Sequence, residues 1–287
     1  MASDFEPSEE RRTQYASALT NNGQPRIMGI LNVTDDSFFE ASRVDHEAAV
    51  ERGLAMWMDG ATWVDIGGES TRPGSKPVSP EVEIQRVIPV IADLRARHPT
   101  GLISIDTRRA SVAQAALEAG ADMVNDVSGL GDSKMAEVVL KWRSPVCVMH
   151  MQGEPGTMQH RPKYDDCVSE VGEFLEGQRT MLMKHGHPSE LICLDPGIGF
   201  GKTQPHNLEL LTAGRGLVDP QTRLLWGVSR KSIVGHLTGQ SDPAQRLPGT
   251  LGLAAFAFHQ GIDVLRVHDV RAHIDFFRAL RLESPEP

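Results

Sequence analysis

The stretch "GADMVND", residues 120–126, joins a glycine to a short link, an apolar run and a terminal amide and carboxylate. Glycine often closes helices because it adopts the left-handed backbone without a steric penalty. The stretch therefore reads as helix end, strand, then polar strand end. The same joint recurs as "GATWVD" at 60–65 and "GIDVLRVHD" at 261–269. A recurring helix-to-strand joint marks a weak internal repeat of a βα unit.

Working outward, eight apolar runs end in polar residues: "RIMGILNVT", "WVDIGGES", "LISIDT", "MVNDVS", "VCVMHM", "LICLDPG", "LLWGVSRKS" and "VLRVHD". Longer segments with helical spacing lie between them. In the segment 45–60, Val50, Leu54 and Trp57 share a face, Asp45 suits the start and Gly60 the end. In the next, Ser79 suits the N-cap, Pro80 the first turn, and Pro89 predicts a kink. Alternating strands and helices imply an α/β protein with a parallel sheet, and nearly continuous apolar strands imply that both faces are covered. Eight units close into a (β/α)8 TIM barrel in a single domain; a doubly wound open sheet is the runner-up. The barrel places function at the C-terminal ends of the strands.

A chain of 287 residues is long enough for that barrel, and 40% hydrophobic with 23% charged residues is an ordinary globular composition. The net charge of −9 argues against nucleic acid or an anionic membrane as partner. Cys147, Cys167 and Cys193 include no CxxC pair and read as buried thiols of a cytoplasmic protein. No apolar run is long enough to span a membrane, and the acidic N-terminus does not read as a signal peptide. Residues 1–24 are expected to form a loosely ordered extension, 25–282 the barrel, and 283–287 a tail.

The strand ends carry Asn32, Asp65, Glu69, Asp106, Asn125, Asp126, His150, Asp195, Ser229, Arg230, Lys231, Arg266 and His268. Carboxylates and amides on one face suit a ligand edge rich in N–H donors. The cations and His268 follow strands seven and eight, a common phosphate site in barrels. Asn32, on the adjoining first strand, could help hold magnesium on that phosphate. Capping of the next helix is an equal reading for Ser229, Asp65 and Asp126, and His150 reads also as a hydrogen-bonding support.

"DPGIGFGKT", residues 195–203, invites comparison with a nucleotide-binding P-loop. That motif requires a glycine five residues before Gly201, where Pro196 stands. The glycines read instead as a tight backbone turn beside a ligand held by Asp195. Three long connections, "TDDSFFEASRV", "ESTRPGSKPVS" and "QGEPGTMQHRPK", suit active-site lids.

In order along residues 27–270, "GILNVT", "DIGGESTRPG", "SIDT", "ND", "CVMHMQG", "DPGIGFGK", "SRKS" and "RVHDV" resemble the dihydropteroate synthase family. The resemblance implies a TIM-barrel homodimer that uses Mg2+ and condenses 4-aminobenzoate with a dihydropterin diphosphate, and that sulfonamides target. It implies Asp106, Asn125, Asp195 and Lys231 on the pterin. It places Thr71, Arg72, Pro73, Phe200, Lys231 and Ser232 around 4-aminobenzoate. Asn32, Arg72, Arg266 and His268 would meet diphosphate, with Asn32 also on the metal; Asp36, Arg72, Lys231, Arg266 and His268 form the implied catalytic set. The first loop departs from the family pattern: "NVTDDSFFEAS" replaces "NVTPDSFSDGG". A pterin-binding methyltransferase domain would share the pterin residues but not need "STRPG" and "SRKS". A non-catalytic pterin-binding paralogue draws support only from the altered first loop.

Overall fold

In a computed structural model of the chain, the described residues are 6–33, 42–70, 75 and 77–283. Asp36, Thr71, Arg72 and Pro73 lie outside them.

Eight parallel strands close in sequence order: β1 (Arg26–Asn32), β2 (Trp63–Gly67), β3 (Leu102–Asp106), β4 (Met123–Asp126), β5 (Val146–Met149), β6 (Ile192–Asp195), β7 (Arg223–Trp226) and β8 (Val264–Val267). Helix α1 (Glu9–Ala18) precedes them. The connections supply α2 (Ser42–Met58), α3 (Pro80–Arg97), α4 (Ala110–Glu118), α5 (Met135–Trp142), α6 (Cys167–Lys184), α7 (Gln204–Ala213), α8 (Ser232–Thr238) and α9 (Leu247–His259), and α10 (Val270–Arg281) ends the described chain. The helices follow the expected segments with two differences. Helix α2 begins at Ser42, so Asp45 is inside it and not its cap. Helix α3 continues through Pro89 to Arg97, while Ser79 caps it as expected by accepting the Val82 N–H at 3.4 Å.

Strand alternation divides the core in two. Outward residues such as Val64, Ile66, Ile103, Ile105, Val148 and Leu194 pack beneath the helices in one cluster. Met28, Trp63, Leu102, Met123, Cys147, Cys193, Leu225 and Val264 form a second cluster, inside the barrel. All three cysteines are buried free thiols. Stepping two or four residues along the inward parity leads from this apolar floor to Asp65, Asp106, Asn125, Asp195 and Arg266. One alternation therefore makes a greasy lower barrel and a charged mouth.

The first two dozen residues are not loosely ordered throughout. Helix α1 packs across the end of the barrel opposite the mouth, where Tyr15, Ala18 and Leu19 join the inner cluster. Trp63 Nε1 donates to the Ala18 carbonyl at 3.0 Å, and Tyr15 Oη donates to Asp122 Oδ1 at 2.9 Å. Arg11 and Arg95 each reach Asp122 at 2.6 Å. The charged first turn of α1, two glutamates followed by two arginines, hides these few buried contacts in the sequence. Among the described residues, no helix is long and apolar enough to cross a membrane.

Candidate active site

At the mouth, Arg266 stands between two carboxylates: its Nε donates to Asp65 Oδ2 at 2.5 Å and its Nη2 to Asp106 Oδ2 at 2.5 Å. Asn125 Nδ2 donates to the same Asp65 oxygen at 3.0 Å. Asp65 is completely buried, and its Oδ1 makes no hydrogen bond among the described residues. Of its two sequence readings, the structure gives it a place in the mouth and no helix to cap. The arginine expected to need an outside anion is thus already matched by protein acids. Burial lowers the Arg266 affinity for its proton, but Asp65 and Asp106 outweigh burial and hold the guanidinium firmly charged. Burial raises the pKa of Asp106, against the attraction of Arg266 and with the repulsion of Asp65.

Asp195 closes the other side of the mouth. Its Oδ1 accepts the Gly197 N–H at 2.7 Å. Burial raises its pKa, and Lys231 pulls the other way. Lys231 Nζ donates to the Ile198 carbonyl at 2.6 Å and sits 4.4 Å from the centre of the Phe200 ring. Burial pushes Lys231 down to about 8 although Asp195 favours its charge. The structure therefore gathers Asp106, Asn125, Asp195, Lys231, Phe200 and Arg266 around one opening.

The glycine-rich turn beyond β6 is explained by its neighbours. Gly197, Gly199 and Gly201 have φ of 67°, 84° and 61°. A Cβ at Gly197 would meet the His150 carbonyl at 2.0 Å, and one at Gly201 would meet the Gln152 carbonyl at 2.3 Å. Lys202, the lysine of the apparent P-loop, is buried and held by partners within the chain. Its Nζ meets His150 Nδ1 at 2.9 Å, the Phe200 carbonyl at 3.0 Å and the His150 carbonyl at 3.3 Å. Burial brings Lys202 down to about 7; burial, then Lys202, takes His150 down to about 3, so the imidazole is neutral and accepts. Thr203 caps α7 and Pro205 lies in its first turn, separating the lysine from the helix start. The sequence signal for this brace was present in "GFGK" and "VMHM", but only the fold brings the two together.

Beyond β7 and β8, Ser229 Oγ and His268 Nδ1 are 3.0 Å apart, and Ser229 Oγ accepts the His268 N–H at 3.2 Å. Ser229 thus holds His268 and caps no helix. Arg230 forms a fork with Asp269 at 2.9 and 2.5 Å, so its charge is matched within the chain. Ser232, exposed, accepts from Gln204 Nε2 at 3.4 Å. Asp126 has the structural role: it accepts from the Ser128 N–H at 2.8 Å, the Ser128 hydroxyl at 2.7 Å and the Leu130 N–H at 2.7 Å. Asn32 is exposed at the end of β1. Both Asn32 Oδ1 and Asp106 Oδ2 border Gly67, at 3.8 and 3.6 Å from where its Cβ would be.

A divalent cation has no cage here: among the described residues no group of three or more His, Cys, Asp or Glu could hold one. One amide oxygen at the rim fits only an ion bound mainly by phosphate and water, the habit of Mg2+.

Residues 28–268 match the pterin binding enzyme family. The dihydropteroate synthase of Escherichia coli (strain K12) is 42% identical over 260 residues, spanning 89% of this chain and 90% of that protein. This chain belongs to the dihydropteroate synthase family. Among solved members, the Xanthomonas albilineans synthase with 4-aminobenzoic acid superposes with a TM-score of 0.83 at 41% identity, covering 92% of this chain and 94% of that one. The Yersinia pestis synthase, solved in complex with a sulfonamide drug, gives 0.83 at 39% identity, covering 90% and 94%. The expected TIM barrel and transferase family are thereby both established.

Proposed function

We propose that this chain joins 4-aminobenzoate to (7,8-dihydropterin-6-yl)methyl diphosphate, forming 7,8-dihydropteroate and releasing diphosphate. The observation that carries this reading is the pairing of Asp106 and Asp195 on opposite sides of one mouth floored by apolar side chains. The aminopyrimidinone edge of a pterin presents adjacent N–H donors, which a carboxylate accepts best. Asn125, held by Asp65, adds an amide that can accept as well as donate. Arg266 orients Asp106 and keeps positive charge beside the ring, and Lys231 does so beside Asp195.

In this reading the C–O bond to diphosphate breaks first, and the amine of 4-aminobenzoate captures the pterin methylene cation. The nitrogen's lone pair forms the new C–N bond, diphosphate leaves with the electrons of the C–O bond, and the amine sheds a proton. No covalent enzyme intermediate is required; stabilisation of the leaving charge is the main contribution. His268, Asn32 and Nη1 of Arg266, the nitrogen not used on Asp65 and Asp106, are the candidates to meet diphosphate, with Ser229 orienting His268. Asn32 would share a Mg2+ that neutralises the leaving group. Phe200, Lys231 and Ser232 would border 4-aminobenzoate, and sulfonamides would compete there. Roles for Asp36, Thr71, Arg72 and Pro73 rest on the sequence motifs. The same kinship supports a cytoplasmic homodimer.

The test is direct. Purified protein supplied with Mg2+, the pterin diphosphate and 4-aminobenzoate should release diphosphate and dihydropteroate in equal amounts, and chelation should suppress the reaction. Pterin binding without product would refute the catalytic reading and leave a pterin-binding paralogue.

A further inference from the structure

The β2–α3 connection carries the "STRPG" motif, and its two stems meet on one arginine. Arg109 Nη2 donates to Glu69 Oε2 at 2.5 Å on the first stem and to the Val78 carbonyl at 2.6 Å on the second. Its Nη1 reaches Glu83 Oε2 in α3. Glu69 Oε2 also accepts the Val78 N–H at 3.2 Å, so one acid and one arginine span the loop's base. The other oxygen of Glu69 accepts from Arg108 Nε at 3.0 Å, and Arg108 Nη1 continues to Glu154 in the β5–α6 connection at 2.8 Å. Three active-face connections therefore converge on Glu69.

This arrangement is poorly explained as stabilisation of the barrel. The Glu83 side chain is fully buried, and those of Glu69 and Arg109 are only 6% and 15% exposed. Buried ion pairs of this kind gain little over apolar residues of equal volume; a use attested in some proteins is to select one arrangement. Arg109 also stands at the N-cap position of α4 and caps nothing with its side chain. A cation there opposes the helix dipole, so its placement costs the helix and serves the loop. The planar fork reaches both stems at once, which a lysine's single ammonium does less well.

We infer that Glu69 and Arg109 are positioning residues that fix the separation of the two stems of the β2–α3 loop, and through it the 4-aminobenzoate side of the site. This inference rests on the reaction proposed above. Neither residue belongs to the set assigned to substrate, and Asp106 and Asp195, the pterin acids on β3 and β6, are not bonded to either of them among the described residues.

Glu69→Gln and Arg109→Lys test it, with wild type assayed alongside. Both should raise the KM for 4-aminobenzoate by about tenfold while leaving pterin diphosphate affinity, by calorimetry, within about twofold. Hydrogen exchange in peptides covering 69–79 should quicken, with β6 peptides unchanged. If either protein fails to fold, Arg108→Gln, which removes one arm from a partly exposed residue, should show the same pattern with a smaller shift. Unchanged KM and exchange, or equal loss of affinity for both substrates, would overturn the clamp. A wild type that forms no product would refute the proposed reaction, and the exchange measurement would still decide the clamp.

Discussion

Asparagine at position 65 probes the mouth with almost no change of shape. Asp65 Oδ2 serves Arg266 at 2.5 Å and Asn125 at 3.0 Å together. Asp65→Asn leaves one acceptor oxygen but removes the charge and puts an unsatisfied N–H2 where Oδ1 is buried. Arg266 keeps its contact to Asp106 at 2.5 Å. The loss is thus near one charge-assisted hydrogen bond, about 1.5–3 kcal/mol. Part of this loss falls on folding; were it transmitted in full to the pterin acceptors, at about 1.4 kcal/mol per tenfold, pterin affinity would weaken by at most roughly 10- to 150-fold. The pH profile should move as well. Burial raises the Asp106 pKa, Arg266 lowers it, and the negative charge of Asp65 raises it again. With that charge gone the Asp106 pKa falls, and the acid limb of pterin binding shifts to lower pH. Calorimetric titration of pterin diphosphate across pH reads both effects. A folded Asp65→Asn protein with affinity within about twofold of wild type and an unmoved acid limb would refute the role assigned to Asp65.

Two further outcomes follow from the same geometry. Leu19→Ala should cost about 2–5 kcal/mol in chemical denaturation, because Leu19 is completely buried at the barrel's closed end; a loss under about 0.5 kcal/mol, within the range of surface substitutions, would mean that α1 is not part of the cooperative fold. The unfolded lysine keeps its proton to about 10.5, whereas buried Lys202 gives it up at about 7. The unfolded state therefore binds more protons across that window, and Lys202 makes stability rise with pH within it. Lys202→Met should flatten this rise in Tm measured from pH 7 to 9, and an identical slope in both proteins would contradict the burial of a neutral amine.

How far the sequence could be read depended on whether a feature was local or built by closure. The helix-to-strand joints, the apolar runs and the polar strand ends are local, and the barrel with Asp106, Asn125 and Asp195 at its mouth followed from them. The stop of the P-loop comparison at Pro196 was local too. Arg266 was harder: it pairs with Asp65 and Asp106 across 201 and 160 residues, contacts that exist only once β8 lies beside β1. The arginine therefore read as an anion seeker although its anions are in the chain. Lys202 and His150 are separated by 52 residues and meet because β5 and β6 lie side by side, with the turn after β6 folded back over the end of β5. Helix α1 was missed because its charged first turn, Glu9 to Arg12, shows no apolar face, while its attachment depends on a few residues such as Tyr15 and Leu19.

That attachment sets the direction in which the polypeptide can be extended. Glu6 contacts Arg143 and Arg12 contacts Glu190, both at the closed end of the barrel. A tag, tether or second domain spliced ahead of Ser8 would leave the molecule on the side away from the mouth. Immobilisation through that end should present the mouth to solution, whereas deleting the helix to shorten a fusion would open the apolar floor of the barrel.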